Sequence, residues 1–283
     1  AGCAELPRRR DRKRCNKGCR RTTLAACRAD QDRTRCAPPT TTTTTIPPAP
    51  PQPSRSSPIA LSRDQTFLVN VNPEADTVTV FDAVGNPTKV AEVAVGGDPE
   101  SVAINPNNTV AYVANAEDGT VSVVDLASRT VSGTIPVGAE PMAVTLSPNG
   151  TRLYVANSAS NTLSVVDTSS RAVIDTVDLS PFGSAPRAVA VTNDTDTDDQ
   201  DESIFVALFF GQLRAGKTAV QEGQDDQREG RVVAIAAATN DPISTANPVV
   251  LGPVANTGFN SNGRLAPGPG TVPNVASTNP QTF

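Results

Sequence analysis

From residue 59 onward the chain reads as short apolar runs separated by polar turns. Over 143–177 the runs fall at 143–146, 152–156, 162–166 and 172–177. Ser147-Pro148-Asn149-Gly150, then residues 158–161, then Asp167-Thr168-Ser169-Ser170 punctuate them. Runs of this length between turn residues predict strands joined by tight turns. The longest apolar run, 232–238, is far short of the roughly 20 residues that cross a bilayer.

The pattern repeats. Residues 59–82, 102–125 and 144–167 align with one another, with a marker Asn at Asn72, Asn115 and Asn157 and a marker Asp at Asp82, Asp125 and Asp167. Both markers advance by 43 and then 42 residues. A Pro closes each unit, at Pro99, Pro141 and Pro186. Four strands in about 42 residues is the size of one propeller blade, and such a unit must stack on neighbours to bury its faces. The fold class expected is all-β, a β-propeller of four-stranded blades at 59–100, 101–142, 143–187 and 188–251.

Leu153-Tyr154-Val155-Ala156-Asn157 and Ala111-Tyr112-Val113-Ala114-Asn115 resemble the defining motif of YVTN-type β-propeller repeats. The resemblance covers roughly 58–192 and implies four-stranded blades and similarity to exported and surface proteins of bacteria and archaea. It brings no catalytic site with it. In the fourth unit Ile204-Phe205-Val206-Ala207-Leu208 takes the motif position with Leu208 for Asn, and Ala236 replaces the Asp. Four units are few for a closed ring, so an incomplete propeller is expected. The remaining blades lie outside this sequence, or an open arc closes by pairing with another copy.

The flanks differ in composition. Residues 1–36 carry 12 Lys and Arg against 4 Asp and Glu, while the remainder carries 12 against 25. This is a basic head on an acidic body, a poor nucleic-acid binder. The arginines at 8–14 have no aromatic neighbours for base stacking, and an anionic membrane surface or wall polymer suits them better. The head is expected to be disordered unless disulfides hold it. Residues 37–58, rich in Pro and Thr, are expected as an extended linker or stalk. Residues 252–283 read as an irregular tail.

All five cysteines lie in the head. Ala1-Gly2-Cys3 resembles the end of a bacterial lipobox, which would give Cys3 an acyl anchor in the membrane and leave Cys15, Cys19, Cys27 and Cys36 as disulfide candidates in an oxidising compartment. The expected location is therefore extracytoplasmic, at the cell envelope or surface or secreted.

Histidine is absent, which removes His-based metal sites and Ser-His-Asp or Cys-His catalysis. Two insertions remodel the fourth unit. Within 193–202, Asp194, Asp196, Asp198 and Asp201 have the spacing of carboxylates that wrap a Ca2+ ion. The pattern resembles thrombospondin type-3 and EF-hand loops but has Asp199 where a Gly would let the loop turn. Around 211–231, Gly216-Lys217-Thr218 invites a phosphate-loop reading, without the strand-to-helix context that reading requires. Phe209 and Phe210 are expected in the core. The marker Asn and Asp residues are expected as turn residues, with Arg129 and Arg171 forming exposed ion pairs to Asp125 and Asp167.

The function expected from these features is non-catalytic: binding or scaffolding of a protein or glycan on one propeller face, with no cofactor other than Ca2+. The alternatives are a lactonase-like hydrolase, resembled at the level of fold, and the non-catalytic propeller portion of a larger redox protein.

Overall fold

The computed structural model describes residues 54–216 and 228–251. It is all-β apart from one 3-10 turn, Pro73–Ala75. Blade 1 comprises β2 (Ile59–Leu61), β3 (Phe67–Asn72), β4 (Thr77–Asp82) and β5 (Thr88–Ala94). Blade 2 comprises β6 (Pro99–Ile104), β7 (Val110–Asn115), β8 (Thr120–Asp125) and β9 (Thr130–Pro136). Blade 3 comprises β10 (Pro141–Leu146), β11 (Arg152–Asn157), β12 (Thr162–Asp167) and β13 (Ala172–Asp178). Blade 4 comprises β14 (Ser184–Val191), β15 (Ser203–Leu213), β16 (Arg228–Ala236) and β17 (Val249–Leu251), with β1 (Ser54–Arg55) added beside β14. Each sheet is a sequential antiparallel meander, and the last hairpin of blades 1 to 3 carries a register shift at the same repeat position.

Two boundaries differ from the sequence expectation. Pro99 and Pro141 are the first residues of β6 and β10, and Pro186 lies inside β14. They open the next blade instead of closing the last one, where a first strand residue needs no ladder N–H. The extended stretch expected to run to residue 58 ends earlier, because Ser54 and Arg55 pair with Val191 and Ala190.

Residues 54–58 then run along the inner edges of blades 4, 3 and 2 and lead into β2, the first strand of blade 1. The Ser54 hydroxyl donates to the Leu146 carbonyl of blade 3. The Ser56 N–H donates to the Val189 carbonyl of blade 4 at 2.9 Å. The Ser57 carbonyl accepts from the Val102 N–H of blade 2 at 2.9 Å, and the Pro58 carbonyl accepts from the Val71 N–H of blade 1 at 3.0 Å.

Strand alternation gives each blade two apolar faces, and the faces pair in series. Val69, Val71, Val78 and Val80 of blade 1 pack on Ala111, Val113 and Val124 of blade 2. Tyr112, Ala114, Val121 and Val123 of blade 2 pack on Leu153, Val155 and Val166 of blade 3. Tyr154, Ala156, Leu163 and Val165 of blade 3 pack on Ile204, Val206 and Ile235 of blade 4. Among the described residues no core joins blade 4 to blade 1, so the four blades form an open series, an incomplete propeller.

Each joint is also latched at its rim. Arg129 and Arg171 adopt left-handed backbone, with φ of 59° and 55°. That aims them away from the marker Asp and across the joint. Arg171 donates to the Ser132 carbonyl at 3.0 Å, and Arg129 to that of Val90 at 3.5 Å. Asn240 holds the equivalent place in blade 4, with φ of 58°, and donates to Asp175 at 3.1 Å. The expected ion pairs are thus replaced by inter-blade hydrogen bonds. Asp167 instead meets Arg152 at 2.6 Å. The turn-capping expectation for the marker Asp holds, since Asp125 accepts from Ser128 and Asp167 from Ser169 and Ser170.

The marker Asn residues are not turn residues. They end β3, β7 and β11, and Asn115 and Asn157 are fully buried. Asn157 Nδ2 donates to Thr162 Oγ1 at 3.0 Å and Ser164 Oγ at 2.9 Å, tying β11 to β12. Asn115 does the same with Thr120 and Ser122, and Asn72 with Thr77 and Thr79. The connector entering the blade lies flat on this amide, so a Cβ at Gly138 would sit 2.7 Å from Asn157 Cγ. In blade 4 Leu208 fills the Asn position and Val233 the serine position, and a Cβ at Gly183 would sit 2.7 Å from Leu208 Cδ1. The clamp is exchanged there for an apolar pair of matching shape.

Asn157→Ala removes both clamp bonds and leaves the buried Ser164 hydroxyl and the half-buried Thr162 hydroxyl without their donor. The expected cost is about 1–3 kcal/mol, a fall in Tm of roughly 2–10 °C for a domain of this size, measured by thermal unfolding. Leu208→Asn without a serine at 233 should cost at least as much, because the new amide has no partner.

Candidate functional site

The first and third turns of each blade lie on one face. In blade 4 the first turn is enlarged into the acidic insertion, 193–202. This loop is seated on blade 3 by Asp199, the residue whose side chain replaced the expected Gly. Asp199 is 8% exposed. Its carboxylate accepts from Ser147 Oγ at 2.6 Å, the Asn149 N–H at 2.9 Å and Thr151 Oγ1 at 2.5 Å. Burial raises its pKa, but the hydroxyl and backbone donors outweigh it and hold the group below its ordinary value. Glu202 is buried too and accepts from Thr192 Oγ1 and the Asp194 N–H, closing the base of the loop.

With its base and one side fixed, the loop turns its other carboxylates outward. Asp194, Asp196 and Asp201 are exposed, and one oxygen from each lies within 4.8 Å of the others. Asp198, expected as a fourth ligand, is not in this group and accepts from the Gln200 N–H at 2.9 Å. Asp201 is pushed up by desolvation and by the negative charges of Asp194, Asp196 and Asp198. Three oxygens this close repel one another unless a cation or protons neutralise them.

Beside the seated loop, a groove of about 350 Å³ runs between the turns of blades 2 and 3. Asn105, Asn107, Tyr112, Asn149, Thr168 and Arg171 line it. The walls close tightly at one end, where a Cβ on Gly150 would meet Pro106 Cδ at 2.5 Å. Tyr112 is buried at the groove floor, which pushes its hydroxyl pKa up, and Arg171 draws it partly back. Tyr154, at the same position one blade on, is pushed up to about 12 by burial, with the negative charges of Asp199 and Glu202 adding to it.

A second constellation was not foreseen. Glu100, at the start of β6, is raised by burial and by Asp98 and Glu140, and lowered by Arg187 of blade 4. Groups from blades 2, 3 and 4 thus act on one carboxyl. Asp98 and Glu140 immediately precede β6 and β10, and Arg187 follows Pro186 within β14, places the repeat spacing marks, but their polarity varies from blade to blade.

Phe209 and Phe210 are not core residues. Phe210 is 56% exposed, and the Arg187 guanidinium lies 4.5 Å from the Phe209 ring centroid. Gly211 continues β15 as a buried strand residue, so no phosphate-binding loop begins there. Lys217 and Thr218 lie outside the described residues, as do Cys3, Cys15, Cys19, Cys27, Cys36, the linker through residue 53 and the tail from 252.

A family model described as "Lactonase, 7-bladed beta-propeller" matches residues 22–135, which take in blade 1 and all but the last residue of blade 2. No curated protein matches the chain. Among solved structures, the chain is similar to the hydrazine synthase of Kuenenia stuttgartiensis at 22% identity and a TM-score of 0.48, covering 70% of this chain and 66% of that one. A protein from Lactobacillus plantarum gives 18% identity and a TM-score of 0.47, with 67% and 54% covered. The dihydro-heme d1 dehydrogenase NirN gives 12% identity and a TM-score of 0.45, with 70% and 38% covered. The chain spans between about two fifths and two thirds of the length of these structures. The chain is an all-β protein of propeller architecture, similar over its first two blades to the lactonase propeller family.

Asp199→Ala should free the acidic loop, leave the Thr151 hydroxyl without its acceptor and leave Ser147 Oγ with only the Arg152 carbonyl at 3.3 Å. The expected loss at pH 7 is about 2–3 kcal/mol, the scale of hydrogen bonds to a buried charged group. Because the folded-state pKa is depressed, this contribution is present above the unfolded carboxylate value near 3.9 and disappears as pH falls through the lower folded value. Melting of the wild-type chain and the variant from pH 7 to pH 2 should therefore converge at the acid end.

Proposed function

We propose that this chain is an extracytoplasmic, non-catalytic propeller module that binds a glycan or protein partner on the face carrying the acidic loop. The observation that carries this reading is the groove between blades 2 and 3. Its amides, hydroxyls and guanidinium offer donors and acceptors around an aromatic floor, which suits the hydroxyl-rich surface of a glycan. Loops on a rigid scaffold change without disturbing the blades, so recognition is readily built there. The head and linker fit an anchored module: an acyl group on Cys3, two disulfides among Cys15, Cys19, Cys27 and Cys36, and a Pro/Thr-rich spacer. The acidic body argues against a nucleic-acid partner. No helix among the described residues is long and apolar enough to cross a membrane.

Calcium belongs to the same reading. Asp194, Asp196 and Asp201 would share one ion through hard oxygen ligands, completed by water. The ion would relieve their repulsion and stiffen the loop beside the groove.

A second reading is favoured by the family match over residues 22–135. In it the chain contributes to a lactone hydrolase, and Glu100, with its raised pKa beside Arg187, is the acid–base group.

Binding is tested by titrating wall and surface oligosaccharides into the chain and following chemical shifts or heat. Asn107→Ala and Asn149→Ala together should weaken the best ligand about tenfold without changing the melting curve by more than a degree or two. Hydrolysis of simple γ- and δ-lactones by the wild-type chain, lost in Glu100→Gln, would replace this reading by the second.

Calcium at ten times its Kd should stabilise the chain by about 1.4 kcal/mol, visible as a rise in Tm that Asp196→Asn and Asp201→Asn abolish. An unchanged melting curve at millimolar calcium removes the ion from the reading.

A further inference from the structure

The three inter-blade cores are built from the same repeat positions. The forward face of each blade presents an aromatic or large residue, an alanine or valine, and two aliphatics from the third strand: Tyr112, Ala114, Val121 and Val123 in blade 2, and Tyr154, Ala156, Leu163 and Val165 in blade 3. The rear face of the next blade receives them with alternate residues of its first three strands, such as Val144, Leu153, Val155 and Val166 in blade 3.

At both ends of the series these same positions recur without a neighbouring blade among the described residues. By the strand registers, Phe205, Ala207, Val232 and Ala234 of blade 4 stand at the forward positions of Tyr154, Ala156, Leu163 and Val165. Phe205 is 36% exposed and Ala207 and Val232 are half-buried, while Ala234 is buried; none of the four belongs to the three cores. Ile59, Leu68 and Phe81 of blade 1 stand at the rear positions of Val144, Leu153 and Val166, and Leu61 at that of Leu146. Ile59 is 46% and Leu61 53% exposed. A forward face and a rear face are thus left partly open, at Phe205 and at Ile59 and Leu61, each the continuation of an interface the chain already makes three times.

We propose that the open forward face of blade 4 seats the open rear face of blade 1 in a second copy, and that two copies close head to tail. A heterologous contact either closes or propagates as a filament. Two sets of four blades give eight, within the range of closed propellers. Closure makes the contact twice, so both ends of both copies are covered and no apolar face is left to aggregate. The mixed polarity of the rear face, where Asn70 replaces the Val113 and Val155 of the inner joints, makes this contact weaker than the joints within the chain.

The test is the mass of the 283-residue chain in solution, by sedimentation or native mass spectrometry, with two face variants. The wild-type chain should be a dimer at about 10 μM. Phe205→Asp and Leu61→Asp should each be monomeric, with far-UV circular dichroism unchanged and a melting temperature that, unlike that of the wild-type chain, does not rise with protein concentration. Mixing the two variants in equal amounts should restore a heterodimer, since one of its two joints keeps both native faces. A wild-type monomer at 100 μM overturns the proposal. So does a dimer that neither substitution weakens, or an open series of larger oligomers.

Discussion

A four-stranded meander of this composition is apolar on both sides, and that constraint governs everything else in the molecule. No blade can hide two faces by itself, so each is stable only between neighbours. The residues that meet this demand are repeated with little change: a tyrosine and an alanine from the second strand against aliphatics of the next blade. Rim contacts from Arg129, Arg171 and Asn240 reinforce the joints where the aliphatic core thins out. The repeat in the sequence is thus the imprint of a joint more than of a blade, because the invariant partners belong to two successive units.

Variation accumulates where this demand is weakest, on the turns and in blade 4. There the buried Asn clamp gives way to Leu208 and Val233, and the first turn grows into the acidic loop. The new loop has not been left loose. Asp199 borrows four donors from the turn of blade 3, so that loop and groove form one continuous polar surface across three blades. A single carboxylate thereby converts an insertion into a positioned element.

The fold was readable because strand and turn signals recur with one period, and the four strands of blade 3 fall within a residue or two of their expected bounds. What escaped was orientation. Asn157 and Arg171 are polar residues next to turns, and local chemistry alone reads them as turn residues. Only the stacking of blades decides that the first is buried against Gly138 and the second crosses to Ser132. Asp199 misled for the same reason: in the loop's own pattern it breaks a calcium motif, and its partners lie about fifty residues earlier in the chain. The grouping around Glu100 is longer in range still, drawing on three blades. Phe209 and Phe210 were expected inside because aromatics usually are, yet they sit on a blade whose forward face has no neighbouring blade among the described residues.

The segment from Ser54 to Pro58 has a mechanical consequence. A chain that enters a repeat protein at one end transmits a pull to the terminal unit alone, which can be peeled away and followed by the next. Here the entering strand is bonded in turn to blades 4, 3, 2 and 1. A pull arriving through residue 53 is therefore shared across the whole series as shear along the inner edges, and no blade can be unzipped before the thread that joins them has been drawn out.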